Sequence, residues 1–131
     1  MKASLLLLSA FICFTISGQT QTDLMNKQSD SYVKADKELN SVYQKILAEY
    51  KLDTAFIKNL KQAQRIWVEF RDAEVRMKFP EREPGYYGSS RPLCIGAYLE
   101  KLTIDRTNTL KQWLNGAEEG DVCCGSIKIK K

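Results

Sequence analysis

The chain contains no histidine. That absence removes the usual serine triad, whose base is an imidazole. It also removes every zinc site that uses histidine, and the four cysteines are wrongly spaced for a thiolate-only site. No metal or other cofactor is expected. There is no glycine-rich phosphate loop, no internal repeat and no compositionally distinct linker. A strong excess of one charge is missing too: 20 Lys and Arg against 16 Asp and Glu leave a mildly basic +4, without the dense basic clusters of a nucleic-acid binder. Long apolar runs are absent as well. The longest, Ala3 to about Ile16, is about 14 residues, short for a membrane span.

What that short run does have is the right setting. Lys2 precedes it, and the small residues Ser17 and Gly18 follow. A basic end, a brief greasy segment and a small-residue exit form a secretory signal peptide, residues 1–18, cut after Ser17 or Gly18. Cleavage leaves no stable membrane span and removes Cys13. The remainder, 19–131, is about 112 residues, one domain by size, exported to the periplasm or the extracellular space. Three cysteines stay behind: Cys94, Cys123 and Cys124. In an oxidising compartment they imply one bridge, Cys94 to Cys123 or Cys124, with one thiol spare. A vicinal Cys123–Cys124 bridge is the more strained alternative. The domain is expected to be a monomer, and the spare thiol permits a thiol-linked dimer.

Apolar periodicity predicts an all-α fold of three amphipathic helices in a small bundle. The first runs from about Asp23 to Tyr50, with Met25, Tyr32, Leu39, Tyr43, Ile46, Leu47 and Tyr50 on one side. Asp53 or Thr54 caps the second, in which Phe56, Leu60, Ala63, Trp67 and Phe70 recur at helical spacing. It ends before Pro80. The stretch FPEREPGYYGSSRP holds all three prolines of the chain and reads as a long surface loop. The third helix starts near Leu93, carries Ile95, Leu99, Leu102, Leu110 and Trp113, and stops near Asn115–Gly116. The tail is expected to be pinned by the disulfide; SIKIK could form a brief strand, though no partner for it is evident.

Charges fall on the apolar faces. At 100° per residue, Glu74 points with Phe56, Leu60 and Trp67, and Arg71 lies close to Trp67. Asp36 sits within the stripe of the first helix, with Asn40 one turn on, and Arg106 sits between Leu102 and Leu110. Glu69 and Asp72 point to solvent. A charge on a packing face must be paired, so Asp36, Asn40, Arg71, Glu74 and Arg106 are expected to form an internal network that fixes helix register. Two carboxylates, Asp36 and Glu74, could in principle act as the acid–base pair of a hydrolase. Neighbouring arginines would lower both pKa values, the opposite of what a general acid needs.

Three segments, in order, resemble one family. MNKQSDSYVKADKELNSVYQKIL carries Ala35-Asp36, Leu39-Asn40 and Tyr43. LKQAQRIWVEFRDAEV carries Leu60, Ala63 to Arg65, Trp67 and Arg71 to Ala73. CIGAYLEKLTIDRTNTL carries Cys94, Leu102, Thr103, Arg106, Thr107 and Leu110. Together they resemble the lysozyme inhibitor LprI-like N-terminal domain, a small secreted bacterial domain, over residues 22–114, with 115–131 as a short tail. The family pattern has cysteines where this chain has Gln28 and Val75. The resemblance therefore implies one lost disulfide that tied the start of the first helix to the end of the second.

The resemblance implies a non-enzymatic binding module that inhibits lysozyme by occlusion, with a protein as its partner. An envelope-stress or structural protein that binds another envelope component is the competing reading. Animal-type lysozymes are basic, so the net positive charge argues against simple steering. Acidic residues do cluster locally, at Glu81 and Glu83 in the loop and at Glu118, Glu119 and Asp121 in the tail. The loop also offers Tyr86 and Tyr87 between Gly85 and Gly88, with Arg91 nearby, and tyrosines of this kind are frequent interface anchors.

Overall fold

A computed structural model describes residues 20–130. The signal peptide expected at 1–18, with Cys13, lies outside the described residues. The fold is three helices, α1 (Gln21–Glu49), α2 (Thr54–Lys78) and α3 (Arg91–Asn115), with no strand among the described residues. Each boundary has a local cause. Thr20 and Asp23 make a reciprocal capping box, which starts α1 earlier than the apolar stripe alone suggests. The Asp53 carboxylate accepts the Phe56 N–H at 2.9 Å and starts α2. Pro92 occupies the first turn of α3, where a missing N–H costs nothing. Gly116 ends it.

α1 and α3 run parallel and pack along their lengths. Gln21 bonds the Ser89 carbonyl at their start, Gln28 bonds Glu100 further on, and the Tyr50 hydroxyl donates to the Trp113 carbonyl at their finish. α2 returns antiparallel between those two levels and makes fewer contacts with either. Ala35, Leu39, Val42, Ile46 and Tyr50 form the buried stripe of α1. From α3 come Thr103, Thr107 and Leu110, all buried. The two threonines fit at a helix crossing because each hydroxyl donates to the carbonyl one turn back, at 2.8 Å. Leu60, Phe56, Ile57 and Trp113 complete the core, which therefore sits toward one end of the bundle.

Two expectations need correction there. Phe70 and Ala63 are exposed, not core, because α2 rotates so that Leu60, Gln64, Trp67 and Arg71 face its neighbours. The disulfide is also absent: Cys94, Cys123 and Cys124 are all free thiols. Cys94 lies in the first turn of α3, whereas the tail folds against the far end, where Ser126 accepts the Trp113 indole N–H at 3.0 Å. About nineteen residues of helix intervene, or about 28 Å, and a disulfide needs Cα atoms within about 7 Å.

Other contacts pin the tail. The Tyr50 ring is buried, and its hydroxyl accepts the Lys128 N–H at 3.1 Å while donating to Trp113. Ala117 pairs with Ile129 in a single parallel bridge, through Ala117 N–H to the Lys128 carbonyl at 2.8 Å and Lys130 N–H to the Ala117 carbonyl at 2.9 Å. The partner missing for SIKIK is thus the residue just past the helix stop. Gly116 has φ +74°, and a Cβ there would meet the Lys128 carbonyl oxygen at 3.0 Å, so glycine serves both the turn and the close approach.

Candidate functional site

Toward the other end of the bundle the packing positions of α2 turn polar. Gln64, Arg71, Glu74 and Lys78 follow Leu60 at helical spacing, and each finds a partner of different chemistry. The Arg106 Nε donates to the Gln64 side-chain oxygen at 3.0 Å. Arg71 donates to Asp72 from Nε at 2.9 Å and pairs through Nη2 at 2.8 Å. Its Nη1 lies 3.4 Å from the Tyr32 hydroxyl of α1. Trp67 receives both cations, the guanidinium carbons of Arg71 and Arg106 lying 5.5 and 5.9 Å from its ring centre. Burial pulls the Arg106 pKa below the ordinary arginine value, yet an arginine remains charged at any physiological pH.

One turn on, the Tyr98 hydroxyl donates to the Glu74 carboxylate at 3.0 Å. That hydrogen bond, with desolvation behind it, raises the Tyr98 pKa above the ordinary tyrosine value. Lys78 places its ammonium 3.7 Å from the same ring.

The five residues expected to form one charge network are therefore not joined. Asp36 is bonded to Asn40 at 3.0 Å on the surface of α1. Arg71 takes its neighbour Asp72, a residue assigned to solvent on simple geometry. Glu74 takes a tyrosine, and Arg106 takes an amide. The two carboxylates that an acid–base mechanism would use, Asp36 and Glu74, each belong to a separate pair on a different helix.

The ladder of rings and cations continues into the loop after α2. Phe79 meets Tyr98 and Tyr87 edge-on, with centroids 6.4 and 6.0 Å apart. Tyr87 turns inward: its hydroxyl donates to the Pro80 carbonyl at 2.9 Å and the Arg91 guanidinium covers its ring at 5.3 Å. Arg91 also bonds the Phe79 carbonyl and Glu81, so it straps both ends of the loop together. Tyr86 does the reverse. It stands 68% exposed, braced edge-on by Tyr87 at 4.8 Å and flanked by Arg82 at 5.9 Å. Gly85 and Gly88, with φ +86° and +66°, make the turns that hold it out. The three residues singled out in the loop thus divide: Tyr87 and Arg91 build it, and Tyr86 is displayed by it.

Beside the loop, a groove of about 430 Å³ opens between the first halves of α1 and α3, lined by Met25, Gln28, Tyr32, Leu93, Ile95 and Leu99. Sequence reasoning missed Lys78 and Tyr98, because a lysine before a proline loop and a lone tyrosine carry no pattern. It also missed Gln64, although the Gln-Arg-x-Trp run contains it.

Residues 15–110 match the model of the family described as lysozyme inhibitor LprI. The chain belongs to that family. The match covers α1, α2, the loop and α3 as far as Leu110, so the ladder and the displayed tyrosine lie inside the LprI region. A similar protein is an uncharacterised one of Rhizobium meliloti, 31% identical over 110 residues, covering 76% of this chain and 77% of that one. No solved structure matches the chain. The Gln28 and Val75 positions, where the family resemblance implies cysteines, lie one turn beyond the Tyr32–Arg71 contact on antiparallel helices. Gln28 instead reaches α3, where its Nε2 donates to Glu100 at 2.6 Å.

Proposed function

We propose that this LprI-family chain is an exported, non-enzymatic module that binds a lysozyme and blocks it by occlusion, with the 79–91 loop as its contact. Export rests on the opening signal-like segment, and among the described residues no helix is long and apolar enough to cross a membrane. The observation that carries the contact is Tyr86: a large aromatic ring held out of a loop whose own contacts are already made. Such a ring loses little freedom on binding, which is why preorganised tyrosines serve as interface anchors. Glu81 is already paired with Arg91 and Arg82 flanks Tyr86, so the loop carries no net charge, and the contact rests on the displayed ring rather than on charge steering toward a basic enzyme.

The test is inhibition of several lysozyme types by the purified protein. Inhibition at micromolar protein is expected for at least one type, and none by any type overturns the reading. Tyr86→Ala is expected to weaken inhibition by tenfold or more without loss of helicity. Undiminished inhibition by that variant removes the loop from the contact.

A further inference from the structure

α2 carries a second apolar stripe, on the face turned away from its neighbours. Ala63, Ile66, Phe70, Ala73 and Met77 recur at intervals of three and four, the spacing of a coiled-coil seam. Ile66 is 50% exposed, Phe70 52% and Met77 68%, and both alanines are exposed. Among the described residues no element covers them. A stripe built only to fill this chain's core would lie with Leu60 and Trp67 instead.

We propose that this face seats a second copy of the same chain, with the two α2 helices antiparallel. Its own residues are complementary in one register. Phe70 then faces Ala73 of the second copy and Ile66 faces Met77 of the second copy, so large side chains meet small or flexible ones. Two-fold symmetry makes each contact twice. Along one edge of the stripe run Gln62, Glu69 and Arg76 at seven-residue intervals. In this register Glu69 meets Arg76 of the second copy, again twice. Neither residue has an ion pair within the chain among the described residues.

Other arrangements put like charges together. A shift by one heptad sets Glu69 against Glu69 of the second copy, or Arg76 against Arg76. A parallel pair sets Glu69 beside Glu74. Charge thus selects the antiparallel register over its neighbours. The stripe lies on α2 and leaves out the displayed Tyr86, so Phe70→Glu tests this inference and Tyr86→Ala tests the lysozyme reading, and either can fail without the other. One helix face is small for a protein interface, so the dimer forms at high micromolar concentration and dissociates on dilution.

Sedimentation velocity on the protein purified after export, in reducing buffer so that free thiols do not link copies, tests this directly. A concentration-dependent monomer–dimer equilibrium is expected below about 500 µM. Phe70→Glu is expected to leave only monomer, with unchanged helicity by circular dichroism. Glu69→Arg is expected to raise the dissociation constant at least tenfold, and adding Arg76→Glu to restore it. A parent chain that stays monomeric throughout that range overturns the proposal. So does a dimer that survives Phe70→Glu, or one that Glu69→Arg leaves equally tight.

Discussion

At the end of the bundle where α1 finishes and α3 stops, Leu39, Val42, Ile46, Leu60 and Leu110 exclude water from one another, and Tyr50 ties the tail across them. At the other end α2 meets its neighbours through Gln64, Trp67, Arg71, Glu74 and Lys78, each with a polar or cation–ring partner. The first end gains from burial, about 25 cal/mol per Å² of apolar surface, and does not depend on direction. The second gains little net energy per contact, on the order of 0.5–1 kcal/mol for each cation–ring pair near the surface, but every contact fixes an angle. Stability is thus concentrated at one end, and geometry at the end that displays the loop.

The largest effects should come from the apolar end. Ile46→Ala and Leu110→Ala each empty a site with almost no exposure and are expected to cost about 2–5 kcal/mol in urea unfolding. Trp67→Ala, at the junction of the two ends, removes a half-buried ring and both of its cations, with an expected cost of about 2–3 kcal/mol. A double change, Gln28→Cys with Val75→Cys, is expected to form a bridge across α1 and α2 and to stabilise the chain by about 2 kcal/mol relative to its reduced form. Mass spectrometry and urea unfolding with and without reductant would check it. If no bridge forms, the helices are not apposed at those positions.

Single charges at the polar end should matter less. Arg71→Ala is expected to cost about 1 kcal/mol, mainly through lost packing on Trp67. Asp36→Ala, bonded only to Asn40 at the surface, should fall within about 0.5 kcal/mol of the parent. The smallest effect is a titration. The Glu74 carboxylate holds the Tyr98 proton, so the folded chain releases it at higher pH than the unfolded chain does. The stabilisation is complete below the ordinary tyrosine value of 10.0. It fades as pH rises through the higher folded value. Tyrosinate absorbance should show one late-ionising residue, and Glu74→Gln should bring it earlier.

Which of these features could be read from the chain follows from their physics. Helix ends at Asp53 and Gly116 were legible because capping is local chemistry. In α1 the periodicity finds Leu39, Ile46 and Tyr50, which are buried, but it misses Ala35 and Val42 and includes Met25, which is exposed, because the groove at the start of α1 leaves its apolar residues without a partner. α2 is ambiguous, because it carries two apolar stripes and periodicity alone does not say which faces inward; Ala63 and Phe70 belong to the outward one. Thr103 and Thr107 were hidden from a reading by hydropathy, since their hydroxyls are satisfied within their own helix. The charges on α2 were correctly placed near the packing face. Their partners were not, because a side chain pairs with whatever lies nearest in three dimensions, and for Arg71 that was the adjacent Asp72. The cysteines are hard to read for a similar reason: an odd count in a chain expected to be exported invites a bridge, but the length of α3 holds Cys94 away from the tail.

The division between a stabilising end and a displaying end is tested most directly by amide hydrogen exchange on the free protein and on the protein mixed with the lysozyme that the proposed inhibition assay identifies. The free protein should show its strongest protection in Leu39–Tyr50 and Thr103–Leu114, and weaker protection in the second half of α2. Lysozyme should add protection at residues 79–91 and leave the apolar end unchanged. Uniform protection in the free protein, or added protection confined to the tail around Ala117–Ile129, would contradict it.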